Sequence, residues 1–223
     1  YIQLQGPDAS SQKVELSIPE LSLNATLVTD ESGRARISLP VKNLAYWSVD
    51  QPKLYAVELS SGSDSISDSI GFRTIETLGA EILLNDQPIF LKGISIHEEN
   101  PIRGGRAHSL EDAEQLLLWA EELGCNFVRL AHYPHNEHMV RLADRLGILV
   151  WEENPVYWTI SWKNPSTYDN AARQLTELIG RDKNRASVII WSMANETPTS
   201  TERTAFLTNL ASLARSQDPT RLI

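Results

Sequence analysis

"SVIIWSMANET", residues 187–197, opens with a run as apolar as any in the chain and then passes abruptly to an amide, Asn195, and a carboxylic acid, Glu196. A short run that is apolar on both faces reads as a strand covered on both sides, and such strands belong to parallel sheets flanked by helices. The stretch therefore predicts a buried strand that delivers two polar side chains at its exit. Working back from it, the same grammar recurs. "IFLKGISI" (89–96) precedes the amphipathic "SLEDAEQLLLWAEELG" (109–124), in which Leu110, Ala113, Leu116, Leu117, Ala120 and Leu123 share a helical face. Ser109 with Asp112 resembles a capping pair, and Gly124 stands where helices stop. "NFVRL" (126–130) precedes "NEHMVRLADRLG" (136–147), "ILVW" (148–151) precedes a long loop and "NAARQLTELIGRDKN" (170–184), and "SVIIW" precedes "TERTAFLTNLASLARSQ" (201–217).

Four consecutive strand-then-helix units imply a (β/α) barrel or a doubly wound sheet. Neither GxGxxG nor GxxxxGK[ST] follows the first strand, so the nucleotide-binding version loses its support and the barrel is favoured. Four units are half of an eightfold barrel, and at "DPTRLI" (218–223) the apolar Leu222 and Ile223 read as the opening of a fifth strand, so a C-terminal truncation is expected. Ahead of the barrel the apolar period is two: Val14, Leu16, Ile18; Leu21, Leu23, Ala25, Leu27; Ala35, Ile37, Leu39; Tyr55, Val57, Leu59. With turns at "DESG" and "SSGSD" and no helical stretch, this part reads as an antiparallel sandwich. The expected division is 1–76, an all-β sandwich truncated at its N-terminus, and 77–223, the barrel half.

Composition narrows the function. A chain of 223 residues, 41% hydrophobic, can bury a substantial core. Twenty basic against twenty-nine acidic residues leave no basic stripe for a phosphate backbone, which argues against nucleic acid. No run approaches the ~20 apolar residues of a membrane span, and "YIQLQGPDASSQ" (1–12) has neither a charged nor a hydrophobic leader region, so the compartment stays open. The single cysteine, Cys125, reads as a small hydrophobe.

In such barrels chemistry gathers at strand exits. Here the exits read "HEENPIRGG" (97–105), "AHYPHNEH" (131–138), "EENPVYWTISWKNPSTYD" (152–169) and "ANETPTS" (194–200), richer in acids and bases than the opposite ends. Glu196 is the sharpest candidate: an acid partly desolvated at an apolar rim, near a second carboxylate, can keep its proton around neutral pH and act as a general acid. The alternative is an acid that caps the next helix or pairs with an arginine. Asn195 beside it can bond a sugar hydroxyl. Tyr157, Trp158, Trp162 and Tyr168 crowd the third exit, either to stack on sugar or to fold into a core of their own. Glu152 and Glu153 read as substrate contacts or solvated loop charges, and His97 and His132 as substrate-orienting, metal-binding or structural residues. Arg129, inside an apolar strand, needs a buried anion or a polar barrel interior. A hydrolytic metal barrel would want paired histidines on the first strand, and "SIHEEN" (95–100) has one.

Several segments in order resemble glycoside hydrolase family 2, the β-galactosidase and β-glucuronidase family: "LNDQPIFLKGISIHEENP" (84–101), "NFVRLAHYPHNEHMVRLADRLGILVWEE" (126–153) and "RDKNRASVIIWSMANETP" (181–198) its barrel, "YWSVDQPKLYAVEL" (46–59) and "DSIGFRT" (68–74) the end of its immunoglobulin-like domain. The resemblance implies the first half of a TIM barrel preceded by an immunoglobulin-like sandwich, and a retaining β-glycosidase acting on a carbohydrate substrate. By the same resemblance Glu196 is the acid/base, Asn195 bonds the sugar 2-hydroxyl, His132 lines the sugar pocket and His97 is near it; Glu153 and Trp158 are added as substrate contacts from their place at the third exit. The nucleophile is a glutamate on a later strand, so this chain alone is expected to be inactive. Galactosidases of the family can bind Mg²⁺ beside the acid/base, but no ligand set matches here residue by residue, so no metal and no cofactor is expected. The "ANE" and "RDKN" spellings look slightly closer to glucuronidases. No membrane partner is expected, and a homo-oligomer of the full-length protein stays open. The alternative from another class is a non-catalytic carbohydrate-binding or scaffold protein on the same fold.

Overall fold

The computed structural model describes residues 1–223, which divide into two compact units: Tyr1–Tyr46 with Lys53–Gly71, and Trp47–Pro52 with Phe72–Ile223.

The first unit is all-β. Its strands are β1 (Ile2–Gln3), β2 (Lys13–Ile18), β3 (Leu23–Val28), β4 (Arg34–Ala35), β5 (Tyr55–Ser61) and β6 (Asp64–Ile70). They form a four-stranded antiparallel sheet in the order β3-β2-β5-β6 and a short β1-β4 pair, the antiparallel sandwich that the period-two pattern predicts and that the family resemblance implies to be immunoglobulin-like. Alternation sends Val14, Ile18, Leu27 and Tyr55 inward, while Glu15, Thr26 and Glu58 occupy the other face. The strand expected through Ala35, Ile37 and Leu39 is cut short. Only Arg34 and Ala35 pair, and Ile37 and Leu39 are each 37% exposed. An alternating pattern needs a partner strand to become a ladder, and Pro40 has no N–H to contribute to one.

The second unit begins with an antiparallel meander that the sequence reading passed over: β7 (Ile75–Leu78), β8 (Glu81–Leu84) and β9 (Gln87–Ile89). Asn85 and Asp86, with φ of 51° and 64°, make the two-residue turn that suits a hairpin. Next come β10 (Gly93–Ile96), α1 (Leu110–Glu122), β11 (Phe127–Leu130), α2 (Glu137–Leu146), β12 (Leu149–Glu153), α3 (Pro165–Asp182), β13 (Val188–Ser192) and α4 (Thr201–Gln217). The sheet β10-β11-β12-β13 is parallel throughout, the first half of a (β/α)8 barrel, and Leu222 bridges in parallel to Ile190 on its β13 side.

Each helix starts on a side-chain cap: Ser109 in a reciprocal capping box with Asp112, then Asn136, Asn164 and Ser200. In α1 the buried stripe is Ala113, Leu117 and Ala120, whereas Leu110 is 40% and Leu123 71% exposed, because these two lie at the helix ends beyond the packed turns. Helix α3 starts earlier than the pattern suggests. Asn164 accepts from the Ser166 N–H and Pro165 supplies a preset first turn, which draws Tyr168 out of the expected loop and into the helix.

The strand ends opposite the exits are tied by buried polar groups. Trp47 donates its indole N–H to the Asp144 carbonyl at 2.7 Å, and Asp144 Oδ1 accepts from the Ser187 N–H at 2.8 Å. Arg73 donates to the carbonyls of Ala186 and Val188. Asp218 pairs with Arg221 at 3.1 Å and accepts from the Trp191 indole at 3.0 Å.

Candidate active site

The site grows from strand alternation. On β11 and β12, Val128, Leu130 and Val150 face the helices and are fully buried, while Arg129, Trp151 and Glu153 point to the other face of the sheet. In register across that inner face stand Ser95, Arg129, Trp151 and Ile190, so the barrel interior is partly polar. The Arg129 guanidinium lies 5.1 Å from the centre of the Trp151 ring.

From there Arg129 reaches the strand exits. Its Nη2 donates to both oxygens of Glu153 at 2.9 and 2.8 Å, and its Nε to Oε2 at 3.1 Å. The same Nη2 donates to Oδ1 of Asn195 at 2.6 Å. Glu153 is 0% exposed and is also held by the Ser192 hydroxyl at 2.9 Å and by His132 Nδ1 at 2.9 Å. His132 Nδ1 stands within hydrogen-bonding distance of both Glu153 Oε1, at 2.9 Å, and the donor Arg129 Nη2, at 3.1 Å, so the two groups together fix the ring. The ring of His97 meets His132 edge-on at 5.2 Å, with Tyr133 Oη 3.4 Å from His97 Nδ1.

At the exit of β13 the chain runs alongside the loop that follows β12. The Asn195 N–H donates to the Val156 carbonyl at 2.9 Å, and the Trp158 N–H to the Asn195 carbonyl at 3.1 Å. Trp158 and Glu196 both adopt positive φ, 56° and 49°, an uncommon state for side chains of this size and one that clusters at functional sites. The Trp158 indole N–H then donates to Glu196 Oε2 at 3.1 Å.

All six residues singled out from the sequence thus join one network. Asn195, His132 and Glu153 meet at Arg129, His97 adjoins His132, and Trp158 is bonded to Glu196. Two placements differ from expectation. Glu196 is exposed rather than partly desolvated, on a left-handed backbone and with Oε2 bonded by the Trp158 indole. Glu153 and Glu152 are neither loop charges nor solvated: both lie in β12, wholly buried, on opposite faces. Glu152 looks toward α3, 3.5 Å from Arg181 and beside Asp182, and burial, reinforced by the Asp182 charge, pushes its carboxyl well above the ordinary range.

The aromatic loop divides between its two readings. Trp162 and Tyr168 pack edge-on against Phe206 at 5.2 and 5.3 Å, whereas Tyr157 and Trp158 are 40% and 63% exposed at the rim. Ser192 went unnoticed in the sequence, although its place as the last residue of an apolar strand, one face-repeat beyond Ile190, was the available signal. His135 is structural: buried, donating Nε2–H to or lying 3.1 Å from the Ala131 carbonyl and stacked on Tyr133, with burial lowering its basicity. No group of three or more His, Cys, Asp and Glu side chains converges in metal-binding geometry. The rim offers a carboxylate, unclaimed amide donors on Asn195, an imidazole and an exposed indole face, a set suited to a ligand rich in hydroxyl groups.

Residues 75–223 match the model described as glycosyl hydrolases family 2, TIM barrel domain, and residues 2–73 match the companion glycosyl hydrolases family 2 model. A β-glucuronidase of Paenibacillus borealis is 33% identical over 238 residues, covering 94% of this chain and 39% of that protein. A β-galactosidase of Arthrobacter sp. is 30% identical over 201 residues, covering 86% of this chain and 19% of that protein. Among solved structures, a β-galacturonidase from Eisenbergiella tayi bound to galacturonate superposes with a TM-score of 0.85 at 30% identity, covering 96% of this chain and 40% of that one. The chain thus spans well under half the length of these relatives.

Proposed function

The chain belongs to glycosyl hydrolase family 2, and we propose that the protein is a retaining β-glycosidase in which Glu196 is the general acid/base. In this reaction two carboxyl groups stand about 5 to 5.5 Å apart across the scissile bond; one attacks the anomeric carbon while the other protonates the departing oxygen and later deprotonates water. Glu196 takes the second role, and the nucleophile comes from a barrel strand other than the four described here.

The observation that carries this reading is the chain of contacts from Arg129 through Asn195 to the neighbouring Glu196. Because the guanidinium claims Asn195 Oδ1, the amide presents Nδ2 as a donor to a sugar hydroxyl beside the reacting bond. His132, its Nδ1 held by Glu153 and Arg129, and His97 beside it line the same pocket. Glu153, fully buried, acts by positioning Arg129 and His132 rather than by touching sugar. Trp158 offers its exposed face at the rim.

The substrate is a β-glycoside of a uronic acid or of galactose, in keeping with the names of the relatives. The test is to incubate the whole protein with aryl β-glucuronide, β-galacturonide and β-galactoside and follow the first-formed sugar by proton NMR. Release of the β-anomer supports the reading. The α-anomer as first product, or binding without turnover, overturns it.

A further inference from the structure

Glu196 is exposed, and an exposed glutamate ordinarily wanders among rotamers. Here its carboxylate has a partner, because the loops after β12 and β13 are zipped together. Tyr157 and Asn195 form a parallel bridge, Asn195 N–H and Trp158 N–H each donate across it, and the Trp158 indole N–H closes on Glu196 Oε2 at 3.1 Å. We infer that Trp158 is a positioning residue for Glu196, holding Oε2 and thereby favouring Oε1 for the transferable proton. The inference rests on the proposed acid/base role of Glu196.

The chemistry of the indole makes this selective. An indole N–H donates and never accepts, so it cannot take the proton from the carboxyl group, and of the two oxygens of a carboxylic acid it bonds better to the unprotonated one. With Oε2 so occupied, a protonated Glu196 favours its hydrogen on Oε1, the oxygen left to meet the leaving group. Holding the carboxyl in one orientation also removes rotamer freedom that would otherwise be lost on reaching the transition state. The positive φ values of Trp158 and Glu196 fit this reading, since backbones in such sparsely populated regions cluster at functional sites.

The experiment uses the whole protein and a series of aryl β-glycosides with leaving groups from good to poor. Trp158→Phe keeps the ring and loses the donor; Trp158→His restores a ring N–H. For Trp158→Phe, kcat/KM is expected to fall about 10-fold for the poorest leaving groups and less than about 2-fold for the best, with KM little changed and partial recovery in Trp158→His. Equal losses for every leaving group, or a change confined to KM, would reduce Trp158 to a stacking surface and overturn the inference. Glu196→Gln run in parallel separates the two claims: if it lacks the leaving-group dependence, the role of Glu196 fails; if it shows the dependence and Trp158→Phe does not, only the positioning fails. Should Trp158→Phe not fold, ¹⁵N-indole NMR of the protein decides the matter. The contact predicts that Glu196→Gln displaces one exposed indole N–H signal, and no displaced signal contradicts it.

Discussion

Arg129 on β11 and Asn195 just past β13 are joined by a 2.6 Å hydrogen bond that spans the intervening strand. The contact converts a buried charge, awkward in an apolar strand, into a device that sets the orientation of an amide at the rim. Glu153, on the strand between, neutralises the guanidinium and fixes the His132 ring at the same time.

Removing the cation while leaving the anion buried is costly, so Arg129→Met should destabilise the fold by about 3–5 kcal/mol. The double variant Arg129→Met with Glu153→Gln should recover a large part of that loss. Urea unfolding of the three proteins measures both effects, and equal stability of the single and double variants would show that the pair is not coupled.

Asn195→Ser shortens the side chain and withdraws the amide donors. Catalytic efficiency on ordinary glycosides should drop about 30-fold, the equivalent of about 2 kcal/mol for a hydrogen bond made in the transition state. On 2-deoxyglycosides the drop should be much smaller, and steady-state kinetics on matched pairs of substrates distinguishes the two.

Burial pushes the Asp144 carboxyl up to about 6, against the pull of its Ser187 and Arg185 partners. Glu152 and Asp182 are raised as well, in both cases chiefly by burial. A raised carboxyl holds its proton in the folded state after the unfolded chain has lost it. The associated stability is complete below the ordinary carboxylate range near 4 and, for Asp144, is lost as pH rises to about 6. Asp144→Asn, which keeps an acceptor for the Ser187 N–H, should flatten the stability profile between pH 4 and about 6, and Glu152→Gln should flatten it above the ordinary carboxylate range. Denaturant midpoints across this range provide the check.

Gly147 ends α2 at φ +77°, and a Cβ there would lie 2.2 Å from the Val49 carbonyl oxygen. Gly147→Ala combines backbone strain with a clash against backbone, and should cost more than about 1 kcal/mol in a thermal or urea melt.

Much of this was readable beforehand because the barrel repeats a coarse signal. Apolar runs followed by capped amphipathic helices are long-wavelength patterns, and the strand exits follow from them, which is how Asn195, Glu196, His97 and His132 were found. What could not be read depended on contacts between distant segments. That Glu153 meets Arg129 while its neighbour Glu152 meets Arg181 is a matter of strand alternation within two identical residues. Tyr168 looked like loop because Asn164 and Pro165 start α3 before the apolar pattern becomes helical. The left-handed backbone of Glu196 is likewise announced by no spacing of residues.

In the proposed reaction Glu196 supplies and later removes the proton. The decisive measurement is Glu196→Ala in the whole protein, assayed on a dinitrophenyl β-glycoside with and without azide. Azide should accelerate turnover and give a glycosyl azide of unchanged anomeric configuration, since a small anion enters where the carboxylate no longer stands. Indifference to azide, or an azide product of inverted configuration, would contradict that role.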